Sequence, residues 1–403
     1  MERTIRRRAA SVANDERILD AAIALIDERG VDRVTVVDLA SAAGFTTGAV
    51  YARYQDLPEL LADVWARRGA AVSEGLVAEA AGLAAGRPGV PVERLADLLA
   101  STPVRRVAVE LLAVTPRVDE LGDLVQSTLE RSLRAEGLVD ASGAVDDAVG
   151  VGLLGLALGS IAYGTADGSL EADAAAIAGW LRVGGAHRWS TPPPAPIPRR
   201  EIRFVPASPG HGMAEVELRR LRLLDAAVTV VARSGIARAT VRRIGRASGY
   251  TSTAVYADYA GVHDLLVDLV RTFAAASLRV APDATRFTDP DLEGALLTGG
   301  MAPSGRTIRR LAVEFQLAHR DPDLGPLTAA VDRDQYHAIA TLLAGPAGPA
   351  HDTIVRYRYA HRALGLGLAL LEDAVGGLPD TDWRPILGAI QLGALAAAGV
   401  RHT

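Results

Sequence analysis

Apolar residues near the start of the chain recur at helical spacing. Ile18, Ala22, Leu25 and Ile26 fall on one stripe, which predicts an amphipathic helix with Asn14 as candidate cap and Gly30 as its end. Glycine there supplies the left-handed conformation that terminates a helix. Thr35 then stands where a side chain caps a short second helix, and Asp38 three residues on completes a capping box. Gly44 closes that helix. Thr46 caps a third through Ala49, Val50, Tyr51 and Tyr54, and Pro58 marks the entry to a fourth holding Leu60, Leu61, Val64 and Trp65.

The same plan returns later in the chain. Residues 223–269 align with residues 18–64 without a gap at an offset of 205. About two-fifths of the aligned positions are identical, and most differences exchange Ile, Leu and Val. Gly235, Thr240, Gly249, Thr251, Ala254, Val255, Tyr256 and Tyr259 repeat the punctuation of the first copy, while Arg243 replaces Asp38 and removes the capping box. Weaker echoes follow, Arg105–Glu110 against Arg309–Glu314 and Gly155–Leu158 against Gly367–Leu370, so the duplication is expected to cover each whole half. Between the halves, Ser190–Gly212 is rich in Pro, which excludes helix interiors and central strands. An extended, semi-rigid linker is expected there, with a short strand at Glu201–Val205 as an option.

Composition narrows the class. The chain has 403 residues, 49% hydrophobic and 23% charged, which suits two or three packed domains rather than one, and not a disordered chain. It has no Cys, hence no disulfide, zinc-thiolate site or cysteine nucleophile, as suits a reducing, cytoplasmic setting. All 43 basic residues are Arg, and 48 acidic ones bring the net charge to -5, so the chain is no global polycation. Its basic start has no apolar core behind it and does not read as a signal peptide. Ala148–Ala166 is uncharged and nearly long enough to cross a bilayer, but it is Gly-rich and its counterpart carries His361 and Arg362. A buried helix is the better expectation.

Two short helices joined by a tight Gly turn, with a longer helix before them, form a helix-turn-helix arrangement. The third helix of such a unit presents its start and one face to the major groove, where small residues allow close approach and Thr and Tyr hydroxyls bond phosphates or base edges. A generic three-helix bundle with polar caps has the same shape, and specific residues decide between them. Ala42–Tyr51 and Ala247–Tyr256, with the Leu-Asp-Ala-Ala opening and the Thr-Val start of helix two, resemble the DNA-binding domain of the TetR family of bacterial transcription regulators.

The resemblance implies an all-α chain of two TetR-like units, each a helix-turn-helix domain plus a helical ligand-sensing and dimerisation domain. The boundaries expected are 1–66 and 67–189 for the first unit, 190–212 for the linker, and 213–272 and 273–403 for the second. It further implies a repressor that binds double-stranded DNA and responds to a small-molecule effector. Carried onto this chain, Thr35 and Thr240 are phosphate-binding caps of helix two. Thr46, Thr47, Gly48, Tyr51 and Arg53 take the recognition-helix positions, and Thr251, Ser252, Thr253, Tyr256 and Asp258 are their counterparts. Tyr54 and Tyr259 match the family's buried aromatic.

Two departures stand out. Leu57 and Val262 occupy the place where the family commonly has a phosphate-binding Lys, and Asp258 puts a negative charge on the second recognition helix. Arg242, Arg243 and Arg246 on helix two compensate in the second copy, and Arg3, Arg6, Arg7 and Arg8 precede the first, either as a minor-groove arm or as a solvated tail. By the same resemblance, the last two long helices of each half form a four-helix bundle. Gly152, Gly155, Gly159, Gly365 and Gly367 would allow close approach, or simply reflect packing of small residues.

No ligand pocket is marked. Trp65, Trp180, Tyr163, Phe315, Tyr336 and Tyr357 line one or belong to the core. The eight His show no metal-ligand spacing, and no phosphate loop, nucleophile elbow or dinucleotide fingerprint is present, so neither metal, cofactor nor catalysis is expected. Two arrangements stay open: one chain whose halves pair with each other on an asymmetric operator, or a dimer of chains that reads DNA through the first copy alone.

Overall fold

The computed structural model of the protein describes residues 2–86, 90–163, 170–198, 203–206, 214–279 and 287–401, with side chains described from residue 12 onward apart from 275–279. Among these residues it is all-helical, with a lone antiparallel bridge between Val139 and Val145. The N-terminal head holds α1 (Glu2–Arg29), α2 (Val36–Ala43), α3 (Thr47–Tyr51) and α4 (Leu57–Val64). A wide π turn at Trp65–Gly69 carries α4 straight into α5 (Ala70–Ala85), so the boundary drawn after residue 66 falls inside a continuous helical run. Then come α6 (Val92–Leu99), α7 (Pro103–Val114), α8 (Asp119–Ala135), α9 (Ala148–Tyr163) and α10 (Ala174–Gly184). The later residues form α11 (Glu215–Ser234), α12 (Val241–Ser248), α13 (Ser252–Tyr256), α14 (Val262–Arg279) and α15 (Pro290–Gly300). They end with α16 (Arg306–Leu317), α17 (Leu324–Ala344), α18 (Pro349–Leu370) and α19 (Ala389–Ala397).

The stripe on α1 packs as its spacing demands: Ile18, Ala22 and Ile26 are fully buried and Leu25 nearly so, against Leu39, Val50, Leu60 and Val64. Each such side chain contributes about 1.5–3 kcal/mol by leaving water. Asn14 caps nothing, because α1 already begins at Glu2. Gly30 does end it, with φ 85° but ψ 148°, an extended mirror conformation rather than the left-handed helical one. The Arg3–Arg8 cluster is backbone of α1, and its side chains lie outside those described.

α9 lies along α18 and α10 along α19. The crossing is backbone against backbone: a Cβ on Gly159 would come within 1.8 Å of the Ala363 carbonyl oxygen, and one on Gly367 within 1.7 Å of the Gly155 carbonyl oxygen. Glycine is obligatory at such a contact. Gly365, expected in the same role, faces open space instead. α9 is buried along nearly its whole length, and among the described residues no helix is long and apolar enough to cross a membrane.

The Pro-rich segment is docked along part of its course. Ile197 donates its N–H to the Ala295 carbonyl (2.9 Å), and the N–H groups of Phe204 and Val205 reach the Asp225 carboxylate at 2.7 and 3.2 Å. Of the optional strand at Glu201–Val205, residues 204–205 form a bend, Arg203 is irregular, and the rest lies outside the described residues.

Candidate nucleic-acid interface

Local chemistry fixes both heads, the N-terminal one and its counterpart in the second half. The Thr35 hydroxyl accepts the Asp38 N–H at 3.2 Å, and the Asp38 carboxylate accepts the Thr35 N–H at 3.3 Å, closing the capping box, with the hydroxyl also donating to that carboxylate at 2.6 Å. Those bonds hold the Asp38 carboxyl below its usual range, the Thr35 hydroxyl first among the causes. Gly44 turns the chain in a true left-handed conformation (φ 72°, ψ 36°), and Thr46 caps α3 by accepting the Ala49 N–H at 3.2 Å. In the second head, Thr240 accepts the Arg243 N–H at 3.2 Å without a return bond, Gly249 makes the turn at φ 77°, and Thr251 accepts the Ala254 N–H at 3.3 Å. A cap of this kind is worth about 1 kcal/mol.

Each recognition helix buries one side chain, Val50 or Val255, and exposes the other face. Thr46, Gly48, Thr251 and Thr253 are exposed, Thr47 and Ser252 half-buried, and nothing lies within 4 Å of where a Gly48 Cβ would point. Tyr51 and Tyr256 are 53% and 60% exposed, unusual for large aromatic side chains that have a core to join. Thr35, Thr240, Arg242, Arg243 and Arg246 lie on the exposed side of helix two in their heads, with Arg243 also bonded to the Arg238 carbonyl at 2.8 Å.

Tyr54 and Tyr259 are core, as the resemblance implies. Their hydroxyls donate to Asp63 at 2.7 Å and Asp268 at 2.6 Å, and burial together with those carboxylates pushes both phenols up.

Arg53 and Asp258 behave alike despite opposite charge. Arg53 donates to Asp15 on α1 at 2.7 Å and to the Ala49 carbonyl at 3.1 Å. Asp258 accepts two bonds from Arg219 on α11, both at 2.6 Å, which hold its carboxyl below the usual range. In both heads an ion pair thus joins the first helix to the end of the third, with opposite polarity and from neighbouring rather than matching positions on the first helix. Arg53 is half-committed to the protein, and the negative charge of Asp258 is compensated within its own head. Sequence reasoning missed both partners, because Asp15 and Arg219 lie about forty residues away in sequence.

Behind the heads sits a pair of buried glutamates. Glu110 on α7 accepts the Val31 N–H at 2.9 Å, just past the Gly30 turn, and Glu314 on α16 accepts the Ile236 N–H at 3.0 Å, just past Gly235. Burial pushes both carboxyls up, Glu314 to about 7.

Other features carry less. His263, Asp321 and Asp323 approach within 4.8 Å of one another, but Asp321 already caps the start of α17 through the Asp323 and Leu324 N–H groups and pairs with Arg33 at 3.0 Å. Trp65, Trp180, Tyr163, Phe315, Tyr336 and Tyr357 are all buried in the cores. An open cleft of about 450 Å³ runs beside α7 and α8, lined by Leu112, Pro116, Val125, Leu129, Leu370 and flanking acidic groups.

Residues 18–64 match the family model of bacterial regulatory proteins of the tetR family, so the N-terminal head is a tetR-type helix-turn-helix domain. That family is one of regulators, not of enzymes. A stretch of 50 residues is 36% identical to the HTH-type transcriptional regulator AcrR of Shigella flexneri. The aligned stretch covers 12% of this chain and 23% of that protein, so the likeness spans less than a quarter of its length.

Proposed function

We propose that this chain is a DNA-binding transcriptional regulator, a ligand-responsive repressor whose two heads act as an intramolecular pseudo-dimer on an asymmetric operator. The observation that carries the reading is the pair of Thr-capped recognition helices, each with its Tyr turned to solvent, on one body in which α9 meets α18 at backbone contact. Thr47, Gly48 and Tyr51 meet base edges in one half-site, and Ser252, Thr253 and Tyr256 meet those of the other. Thr35, Thr46, Thr240, Thr251 and Arg242 take phosphates. Arg53 reaches DNA only by leaving Asp15. Half-sites lie about one helical turn apart, and since the heads differ in sequence the two are read as different bases.

A dimer of chains reading only through the first head is the rival arrangement. The presence of Asp258 favours it, and the Arg219 pair at 2.6 Å weakens it by cancelling that charge locally. Selection of bound sequences from random DNA, followed by light scattering of the complex, separates the two. One chain on a non-palindromic site supports the pseudo-dimer, and two chains on a perfect palindrome overturn it. The effector response rests on family resemblance and requires differential affinity for two head spacings, so saturating operator should weaken effector binding by the factor through which effector weakens DNA binding.

A further inference from the structure

We infer that Arg117 and Arg320 are positioning residues, each of which fixes a reading head from the opposite half of the chain. The placement is crossed. Arg320 follows α16 in the second half, yet its guanidinium pairs with Glu110 and donates twice to the Asp27 carbonyl at the end of α1, at 2.8 and 3.1 Å. Arg117 follows α7 in the first half, yet its guanidinium lies 2.9 Å from the Glu314 carboxylate and contacts the Ser234 carbonyl oxygen at the end of α11. It also grips Asp32 of the first head at 2.8 Å, so a single guanidinium touches both heads.

Geometry supports a positioning role over ordinary surface pairing. The Arg117 side chain is 6% exposed and Glu314 9%, while Arg320 and Glu110 are 14% and 6% exposed. Pairs so poorly hydrated hold one geometry, because losing one partner leaves a charge stranded out of water. Each glutamate is shared between the N–H of the head's first turn and the incoming guanidinium, so the turn and the opposite half are held by the same carboxylate. Gly30 and Gly235 make room: a Cβ at Gly235 would lie 2.1 Å from an Arg117 nitrogen, and one at Gly30 3.4 Å from an Arg320 nitrogen. Nothing in this arrangement needs DNA. That spacing of the heads matters for binding rests on the function proposed above.

The latches are unequal. The first head has a second tie, Arg106 donating to both oxygens of Asp27 at 2.6 and 2.8 Å. At the matching place in the second half Asp27 is replaced by Ala232, and Arg310 turns to Glu372 and Asp373 at 3.1 and 3.2 Å. The second head therefore depends more on its crossed arginine than the first.

Hydrogen exchange on the full chain, read by mass spectrometry, tests the crossing. Arg320→Ala should speed exchange at residues 27–34 and spare 232–239, whereas Arg117→Ala should speed exchange at 232–239, by about tenfold or more in each case, the scale of a lost hydrogen bond to a charged group. Glu110→Gln keeps an acceptor for Val31 and drops the charge, so it should reproduce a smaller Arg320→Ala effect in a chain that folds. Unchanged exchange at 27–34 in both variants, or equal acceleration throughout α9 and α18, overturns the crossing. Because the chain has no Cys, Ala42→Cys and Ala247→Cys provide the sole spin-label sites, and their distance distribution should broaden when Arg117→Ala is added. A distribution that stays narrow defeats the positioning role whatever DNA does, while absence of DNA binding in a chain with intact latches defeats only the proposed function.

Discussion

Replacing Gly367 by Ala should be among the most damaging single-methyl changes the chain can suffer. Ordinary C–H···O contacts between helices sit at about 3.3–3.6 Å, and the new Cβ would be 1.7 Å from the Gly155 carbonyl oxygen. The two backbones must therefore part by roughly 1.6 Å, since neither Gly has a side chain that can yield. A gap of even 0.5–1 Å forfeits about a quarter to a half of each dispersion contact, and Val151, Leu154, Leu158, Leu364 and Leu368 are all buried on these two helices, with Leu368 packed against Gly155. Overpacking of this kind costs about 1–3 kcal/mol, and the rigid backbone contact argues for the upper end. Gly365, two residues away on the same helix, has nothing within 4 Å of its Cβ direction. Ala there should stabilise by about 0.5–1 kcal/mol through helix propensity. Urea unfolding followed by circular dichroism should place the two variants on opposite sides of the parent, separated by about 2 kcal/mol or more, and Gly159→Ala should join the destabilised one. If Gly365→Ala and Gly367→Ala shifted the midpoint alike, α9 and α18 would not cross as described.

Tyr51→Phe should weaken operator affinity by about 1 kcal/mol or more with little change in melting temperature; a collapse of stability with affinity intact per folded molecule would make Tyr51 a core residue. Arg219→Ala should release Asp258 toward the phosphates and lower DNA affinity, more strongly at low salt, as gel-shift titrations at two ionic strengths would show; an unaltered affinity means that the second head does not touch DNA. His319 is pushed down to about 4 by burial and then by Arg320. Its folded value lies below the ordinary 6.5, so its contribution to stability is present above that pH and is lost as pH falls through about 4. The parent should thus lose more melting temperature than His319→Gln between pH 7 and pH 4, and equal losses would remove His319 from the balance.

Much of the local structure was legible because the same punctuation stands at two places in the sequence. Thr35, Thr46, Thr240 and Thr251 all cap as their spacing predicts, since a cap is a bond between neighbours in sequence. Gly155, Gly159 and Gly367 stand at the close crossing, but Gly365 does not, because composition marks a small residue without giving its angle around the helix. What spacing could not reveal were pairings across long separations: Arg53 with Asp15, Asp258 with Arg219, and above all Glu110 with Arg320. The Arg105–Glu110 echo at Arg309–Glu314 did hold a clue. It preserved a glutamate whose position on an otherwise apolar helix face has no surface explanation, and a charged residue there implies a buried partner.

The two heads differ in how they are held. In the first, helix two carries the capping box, the α1 end is tied by Arg106, and the charge beside the recognition helix is positive. In the second, the box is gone and the Arg106–Asp27 tie has no counterpart, while helix two gains Arg242, Arg243 and Arg246. Losing local ties while gaining exposed cations moves a head from fixed geometry toward general attraction for phosphate, which carries affinity but little sequence information. On the proposed function, the first head should therefore dominate base selection and the second should supply salt-sensitive affinity. Selected sequences would then show one sharply defined half-site beside a loosely defined one at fixed spacing. Two half-sites of equal information content would mean that the retained core of the second head, from Leu223 to Leu269, preserves reading as well as shape.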